Sequence, residues 1–180
     1  MRIEIKGKDK FLSQLENVPK VVKKAVYDAT YEINQDVQGR IESNLSSSIK
    51  HGSGELMGSF KNEVTEDNEG NIVGRNWSDN PISIFREFGT GSVGAASQKD
   101  LPDGVNPTYT MEPWFFPVDS VDVDLEAIYG MPKIMINGTE FYRTNGQPAR
   151  PYMYPAFKEG MEHAEDTFKD HVKKNLRKGL

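Results

Sequence analysis

The sequence predicts an α+β fold in which two long amphipathic helices pack on a small, mostly antiparallel sheet. Three observations predict it: a long helical repeat of apolar residues near the amino terminus, two strand pairs joined by turn residues, and a second helical repeat at the carboxyl terminus. The 180 residues suit a single domain, 1–180, with an irregular insertion at about 91–146.

The first helix is predicted to begin at Asn17, a residue type that caps helices, with Pro19 in its first turn. Apolar side chains then recur at steps of three and four residues, which places them on one face. Serines and glycines after this repeat end the helix. The apolar face consists of Val18, Val22, Ala25, Ala29, Ile33, Val37, Ile41 and Leu45.

Two hairpins are predicted to supply the sheet. Residues 60–66 and 72–77 have strand composition and are separated by a short polar turn. A second hairpin is predicted within 134–143, where Asn137-Gly138 separates two apolar runs, because this dipeptide favours a tight hairpin turn. We expect both hairpins to join one sheet.

The chain between the hairpins is predicted to contain one helical turn within 81–90, stopped by a bend at Gly89. Residues 91 to about 130 are predicted to be irregular, because glycines and prolines interrupt every period. A loop of this length in a compact domain usually serves a purpose. Its glycines and prolines prevent a self-sufficient element, yet Trp114, Phe115, Phe116, Ile134 and Met135 are too apolar to remain in water without a partner or a core. We therefore expect 91–146 to be a contact surface that is poorly ordered alone and becomes ordered on contact with a partner.

The last helix is predicted to run from Pro155 to about Lys178. Its acidic residues come early and its basic residues come late, as the helix dipole favours. One face is apolar and consists of Phe157, Met161, Ala164, Phe168, Val172 and Leu176.

Composition narrows the function classes. The formal net charge of -5 argues against specific nucleic-acid binding, and the lack of cysteine excludes disulfides and thiolate metal sites. No stretch approaches the roughly 20 apolar residues of a membrane span, and the first residues lack the apolar region of a signal peptide. We expect a soluble protein that does not associate with a membrane and binds neither a cofactor nor a metal.

No set of residues in the sequence has the spacing of a known catalytic site. Its histidines, His51, His163 and His171, suggest neither a triad nor a zinc helix. A hydrolase that uses Glu87 with Asp79 or His51 stays a remote alternative. The acidic run could bind a hard cation or be a solvated charge run, and whether it holds an ion is left open. This run consists of Asp119, Asp122, Asp124 and Glu126.

Three motifs follow one another in a recognisable order. They are Gly54-Glu55-Leu56-Met57-Gly58-Ser59-Phe60, then Phe85-Arg86-Glu87-Phe88-Gly89-Thr90, then Gln147-Pro148-Ala149-Arg150-Pro151-Tyr152-Met153-Tyr154-Pro155-Ala156. Together with the first helix they resemble the gene-product-ten-like family of lambdoid bacteriophages, whose pattern is T-G-x-L-x-x-S, Y-A-x-x-x-E-F-G-T and P-A-R-P-F-L-x-P-A. The chain departs from that pattern at Ser53, at 82–84 and at Tyr152.

The resemblance implies a structural protein, not an enzyme. Members of the family are neck, head–tail joining or tail-completion proteins of the virion, which assemble in the cytoplasm of the bacterial host. The implied partners are further copies of the chain in a ring, the head connector or stopper, and the tail-terminator or tail-tube proteins. A tail terminator capping the tube is an alternative. DNA passing through the ring would meet the acidic run, which would repel phosphate.

The resemblance also selects candidate site residues. For Glu87 and Arg150 an ion pair within the fold and a subunit contact are both open. Trp114, Phe115 and Phe116 either close the core or anchor a partner. The other motif candidates are Phe88, Gly89, Thr90, Pro151, Tyr152 and Pro155.

Overall fold

The structure, a computed structural model, describes residues 8–48, 54–97 and 100–179. Its helices and antiparallel strands confirm the predicted α+β class. In chain order the elements are α1 (Lys8–Ser48), α2 (Glu55–Gly58), β1 (Phe60–Glu66), β2 (Ile72–Ser78), α3 (Ile82–Phe88), α4 (Gly91–Ser97), β3 (Trp114–Pro117), a 3₁₀ turn (Val118–Ser120), α5 (Leu125–Tyr129), β4 (Lys133–Ile136), β5 (Thr139–Thr144), α6 (Met153–Glu162) and α7 (Ala164–Gly179).

The chain divides into two compact units. The terminal unit comprises residues 1–79 and 155–180, and the central unit comprises residues 80–154. Among the described residues, no helix combines the length and the apolar character needed to cross a bilayer.

Helix α1 organises the terminal unit. The predicted apolar face is confirmed, because five of its residues are buried. The predicted start at Asn17 is wrong, since α1 begins at Lys8 and continues through Pro19. Apolar residues upstream of the proline continue the same helical period, so the proline is an internal residue and not a start signal. The buried residues of this face are Ala25, Ala29, Val37, Ile41 and Leu45.

The first hairpin packs on α1. Strands β1 and β2 pair antiparallel from Phe60 opposite Ser78 to Glu66 opposite Ile72, which confirms the predicted hairpin. The side-chain amide of the buried Asn34 in α1 donates to Glu63 O at 3.1 Å and to Arg75 O at 3.2 Å. A polar side chain in the apolar face of α1 thus fixes the hairpin on the helix.

The predicted last helix is two helices, α6 and α7, separated at His163. The buried side of α6 carries the small residues Ala156 and Gly160. Phe157 and Met161, predicted for the core-facing side, are 54% and 46% exposed, so that assignment is wrong. At Gly160 the buried side is small because α6 approaches Val37 of α1 too closely for a larger residue.

Gly160 lies at a close approach of these helices. A Cβ atom at this position would lie 2.5 Å from Val37 Cγ2, well inside van der Waals contact. We expect Gly160→Ala to lower the free energy of unfolding by about 1–2 kcal/mol, because the branched Val37 side chain has little freedom to move. Urea denaturation followed by circular dichroism measures this.

Gly39 in α1 is the matched control, since a Cβ there would meet nothing within 4 Å. Gly39→Ala should raise the free energy of unfolding by up to about 1 kcal/mol through helix propensity. Equal stabilisation by both substitutions would contradict the close helix contact.

The central unit contains a three-stranded antiparallel sheet with strand order β3-β5-β4. The hairpin of β4 and β5 is confirmed, with Ile136 opposite Thr139 across the Asn137-Gly138 turn. The prediction that both hairpins share one sheet is wrong, because β1 and β2 form a separate two-stranded sheet. In this sheet the third strand is β3, which pairs Trp114 with Thr144.

The prediction of an irregular segment from 91 to about 130 is wrong in part, although residues 100–113 contain no helix or strand, as predicted. Helix α4, strand β3 and helix α5 lie in it. These short elements depend on contacts distant in sequence. For example, the hydroxyl of the buried Tyr142 in β5 accepts a hydrogen bond from Leu125 N at 3.1 Å, at the start of α5. Such contacts leave no local periodic signal.

Candidate functional site

The second and third sequence motifs meet inside the central unit through Glu87. This residue lies near the end of α3 and is 5% exposed. Its carboxylate accepts hydrogen bonds from Tyr152 N at 2.7 Å, Met153 N at 2.9 Å and Tyr154 N at 3.0 Å. Backbone N–H groups at a helix start lack partners within the helix, and a carboxylate there also complements the helix dipole. Glu87 therefore determines where α6 begins.

A glycine bend brings the same two motifs side by side. Gly89 has a φ of 74°, and a Cβ atom there would lie 2.6 Å from Ala149 N and 2.7 Å from Gln147 O. Thr90 N donates to Gln147 O at 3.0 Å, and Thr90 Oγ1 accepts from Gln147 N at 3.1 Å. Only glycine permits this contact of two backbones, which gives the glycine of the motif a physical role.

Two further backbone contacts extend this pairing toward α6. Arg150 N donates to Arg86 O at 3.0 Å. Pro151 precedes α6, and Pro155 lies in its first turn, where the missing N–H of proline is tolerated. These motif residues hold the chain in position by backbone contacts and restricted φ angles.

We call the paired motif segments 86–90 and 147–154 the motif frame. Tyr152 fills the interior of this frame. Its side chain is fully buried, and its hydroxyl donates to Ser83 O at 3.3 Å. Burial, and after it the nearby Glu87 carboxylate, raise the pKa of Tyr152 to about 12. The phenol therefore stays neutral in the fold at pH values where it ionises in an unfolded chain.

The raised pKa of Tyr152 predicts a loss of stability in alkali. The unfolded tyrosine ionises near pH 10, so its contribution is complete below pH 10 and is lost as the pH rises toward 12. We expect this one group to lower the free energy of unfolding by about 2–3 kcal/mol over that window. Urea denaturation at several pH values measures it, with Tyr152→Phe as comparison. A wild-type slope no steeper than that of the variant would contradict the assignment.

A groove of 780 Å³ opens beside the frame. One wall is the apolar face of α3, and the opposite wall is the segment 105–110. Tyr109 fixes that wall, because its hydroxyl donates to Phe88 O at 3.0 Å. Ligand and peptide sites have this size and apolar character. The lining residues are Ile84, Phe85, Phe88, Gly89, Thr90, Gly91, Val105, Asn106, Pro107, Thr108, Tyr109, Thr110 and Trp114.

The three consecutive aromatic residues have different surroundings. Trp114 lines the groove, and the Phe116 ring lies 5.5 Å from the ring of the buried Tyr142. Phe115, on the alternate side of the strand, is exposed. Each of the two predicted roles, closing the core and anchoring a partner, therefore suits different residues. Phe116 packs on the core, whereas Trp114 and Phe115 are available to a partner.

Comparisons of the chain with protein-family models, with curated proteins and with solved structures find no match. Its function has therefore to be inferred from its own residues, above all the motif frame and the groove beside it.

The acidic run serves the fold through Asp124 and through Glu126, whose carboxylate lies 3.3 Å from Lys133 Nζ. Asp124 caps α5 by accepting from Glu126 N at 3.0 Å and Ala127 N at 3.3 Å, and it pairs with Lys133 at 3.1 Å. The Lys133 hydrogen bond is the main cause of the lowered pKa of Asp124. Within the described ranges, no group of three or more acidic or histidine side chains could hold a metal ion.

Sequence reasoning missed two of the main groove residues, Ile84 and Tyr109. Ile84, Phe85 and Phe88 have the spacing of one helix face, which was a usable signal. Tyr109 lies in a segment predicted to be irregular, and its partner, the Phe88 carbonyl, is not visible in a sequence pattern.

Proposed function

We propose that the chain is a structural subunit of the neck of a tailed bacteriophage, joining head and tail as part of a ring and acting through contacts between subunits. The observation that carries the proposal is the apolar groove of the central unit, which is built directly on the motif frame. The motif resemblance supplies the biological setting, and the groove supplies a means of contact.

The hydrogen bonding and burial of Glu87 favour a structural role over a catalytic one. Both of its carboxylate oxygens accept backbone hydrogen bonds, and the side chain is buried. A general acid or nucleophile needs access to substrate. Asp79 forms an ion pair with Lys61, and His51 lies outside the described residues, so the hydrolase alternative lacks a demonstrated constellation.

Exposed apolar residues around the central unit also favour a subunit role. Soluble monomers seldom expose large contiguous apolar patches, and such patches mark interaction surfaces. We propose that other copies of the chain and the adjoining connector, stopper, terminator or tube proteins cover them. The exposed residues include Ile82, Ile84, Phe85, Met111, Phe115 and Met135.

The charge of the central unit fits a ring through which DNA passes without binding specifically. Nine acidic and five basic residues lie in 80–154, so phosphate is repelled overall. This balance supports a structural part in the virion and gives no support to sequence-specific DNA recognition.

A phage that carries a stop codon in this gene tests the proposal. We expect filled heads and separate tails that fail to join, with infectious particles restored when the chain is supplied from a plasmid. Labelling the chain on isolated heads and isolated tails separates a neck protein from a tail terminator. Normal titres of joined virions without the protein would refute the proposal.

A further inference from the structure

Over the residues that the structure describes, the amino-terminal part of α1 extends past the end of α7, its helix partner. Helices α1 and α7 run antiparallel, with His171 Nε2 at 2.8 Å from Glu32 Oε2. At the end of α7, a Cβ atom on Gly179 would lie 2.7 Å from Val21 Cγ2. Residues 8–20 of α1 lie beyond this contact, and we call them the overhang. At 1.5 Å per residue the overhang is about 20 Å long.

Among the described residues, the overhang carries an apolar face that is largely exposed. Phe11, Leu15 and Val18 have i, i+4, i+7 spacing, and Leu12 lies beside them. Phe11 is 60% exposed and Leu15 is 50% exposed. This spacing is that of helices which insert apolar anchors into a groove of another protein. The overhang therefore has the form of a groove-binding helix.

The groove of the central unit has complementary properties. Its walls present Phe85, Phe88 and Tyr109, and its volume of 780 Å³ is large enough to receive several apolar side chains. The chain segment 100–112, which includes one wall, contains acidic residues and no basic residue. These acids are Asp100, Asp103 and Glu112.

The charge of the overhang has the opposite sign. Its basic residues outnumber its acidic ones, and Lys8 and Lys10 directly precede Phe11. Opposite charges around an apolar contact favour encounter and fix orientation. The basic residues are Lys8, Lys10 and Lys20, against Asp9 and Glu16.

We propose that the overhang of one copy docks in the groove of a second copy, so that the chain assembles head to tail. This inference rests on the proposed function, because it names the contact that links neighbouring subunits in the ring. The two docking surfaces are different parts of the chain, so the contact is heterologous, and repeated heterologous contacts close into rings when the rotation permits.

Two single substitutions separate the two surfaces. Leu15→Asp places a charge in the overhang and leaves the groove intact, whereas Phe85→Asp does the reverse. A single helix in a groove covers less than the roughly 800 Å² per partner of a standard interface, so the association should be weak. Sedimentation velocity is therefore measured at a high protein concentration, about 100 µM. We expect the wild type to associate and each variant to be monomeric, with affinity reduced about tenfold or more.

The mixture of the two variants is the sharpest measurement. Equal amounts of Leu15→Asp and Phe85→Asp should form a one-to-one dimer and nothing larger, because only one intact overhang and one intact groove can meet. Phe157→Asp is the matched control, since Phe157 is exposed to a similar degree but belongs to neither surface, and it should associate like the wild type. Circular dichroism verifies that each variant is folded.

Engineered cysteines give a second readout, because the chain contains none of its own. Mixed Leu15→Cys and Phe85→Cys variants should form a disulfide between copies, whereas Leu15→Cys with Phe157→Cys should not. A monomeric wild type, unchanged association of either Asp variant, or a monomeric mixture would overturn the docking proposal. A phage that joins heads and tails without the protein would instead refute the proposed function, whatever the purified chain does.

Discussion

Replacing Glu87 with alanine is expected to lower the free energy of unfolding by about 3 kcal/mol or more. The substitution removes the acceptor of three backbone N–H groups at the start of α6, the first of them on the buried Tyr152. Each donor left without a partner inside a protein costs about 1–3 kcal/mol. Glu87→Gln should lie between the wild type and Glu87→Ala, because the amide keeps one acceptor oxygen.

Tryptophan fluorescence can measure this loss of stability in the central unit itself. Trp114 lies in the central unit and Trp77 in the terminal unit, so a Trp77→Phe background reports the central unit by fluorescence during urea denaturation. Glu140→Ala is the control, because Glu140 is an exposed carboxylate of the same unit and should change stability by less than about 0.5 kcal/mol. If both alanine variants unfold at the same urea concentration, Glu87 does not hold α6.

Elements with local periodicity could be predicted from the sequence. The buried face of α1 follows from apolar steps of three and four residues, and the β4–β5 turn follows from Asn137-Gly138. The start of α1 was predicted wrongly because proline is typical of a first turn, whereas Pro19 lies inside this helix. Phe157 was misassigned because close helix packing at Gly160 overrides the preference for large apolar residues.

Contacts between distant residues could not be predicted. Strand β3 exists because Trp114 pairs opposite Thr144, and no pattern within the segment 91–130 indicates that pairing. The same holds for the site: Glu87 stood out through the motif, but its partners begin 65 residues later along the chain. The sequence indicated which residues matter in the frame, and the structure supplies what each one contacts.

Gly146→Ala is the second substitution from which we expect a large loss of stability, because Gly146 lies beside the motif frame. A Cβ atom at Gly146 would overlap the carbonyl oxygen of Thr90, and one at Gly91 would overlap the carbonyl oxygen of Asn145. The two backbones therefore cross at a contact that admits only glycine. Because a clash with backbone cannot be relieved by turning a side chain, Gly146→Ala should displace the bend of the second motif.

Gly104 separates this clash from backbone strain. Gly146 and Gly104 have φ values of 102° and 79°, but a Cβ at Gly104 would meet nothing within 4 Å. Gly104→Ala should thus cost only the strain, about 1–2 kcal/mol, whereas Gly146→Ala should cost more than about 3 kcal/mol. Trp114 fluorescence in the Trp77→Phe background measures both. If the proposed function holds, the Gly146 variant should also fail to restore joined virions in the phage with the stop codon, since the groove is built on this bend. Equal stabilities of the two variants would show that the backbones do not cross as closely as described.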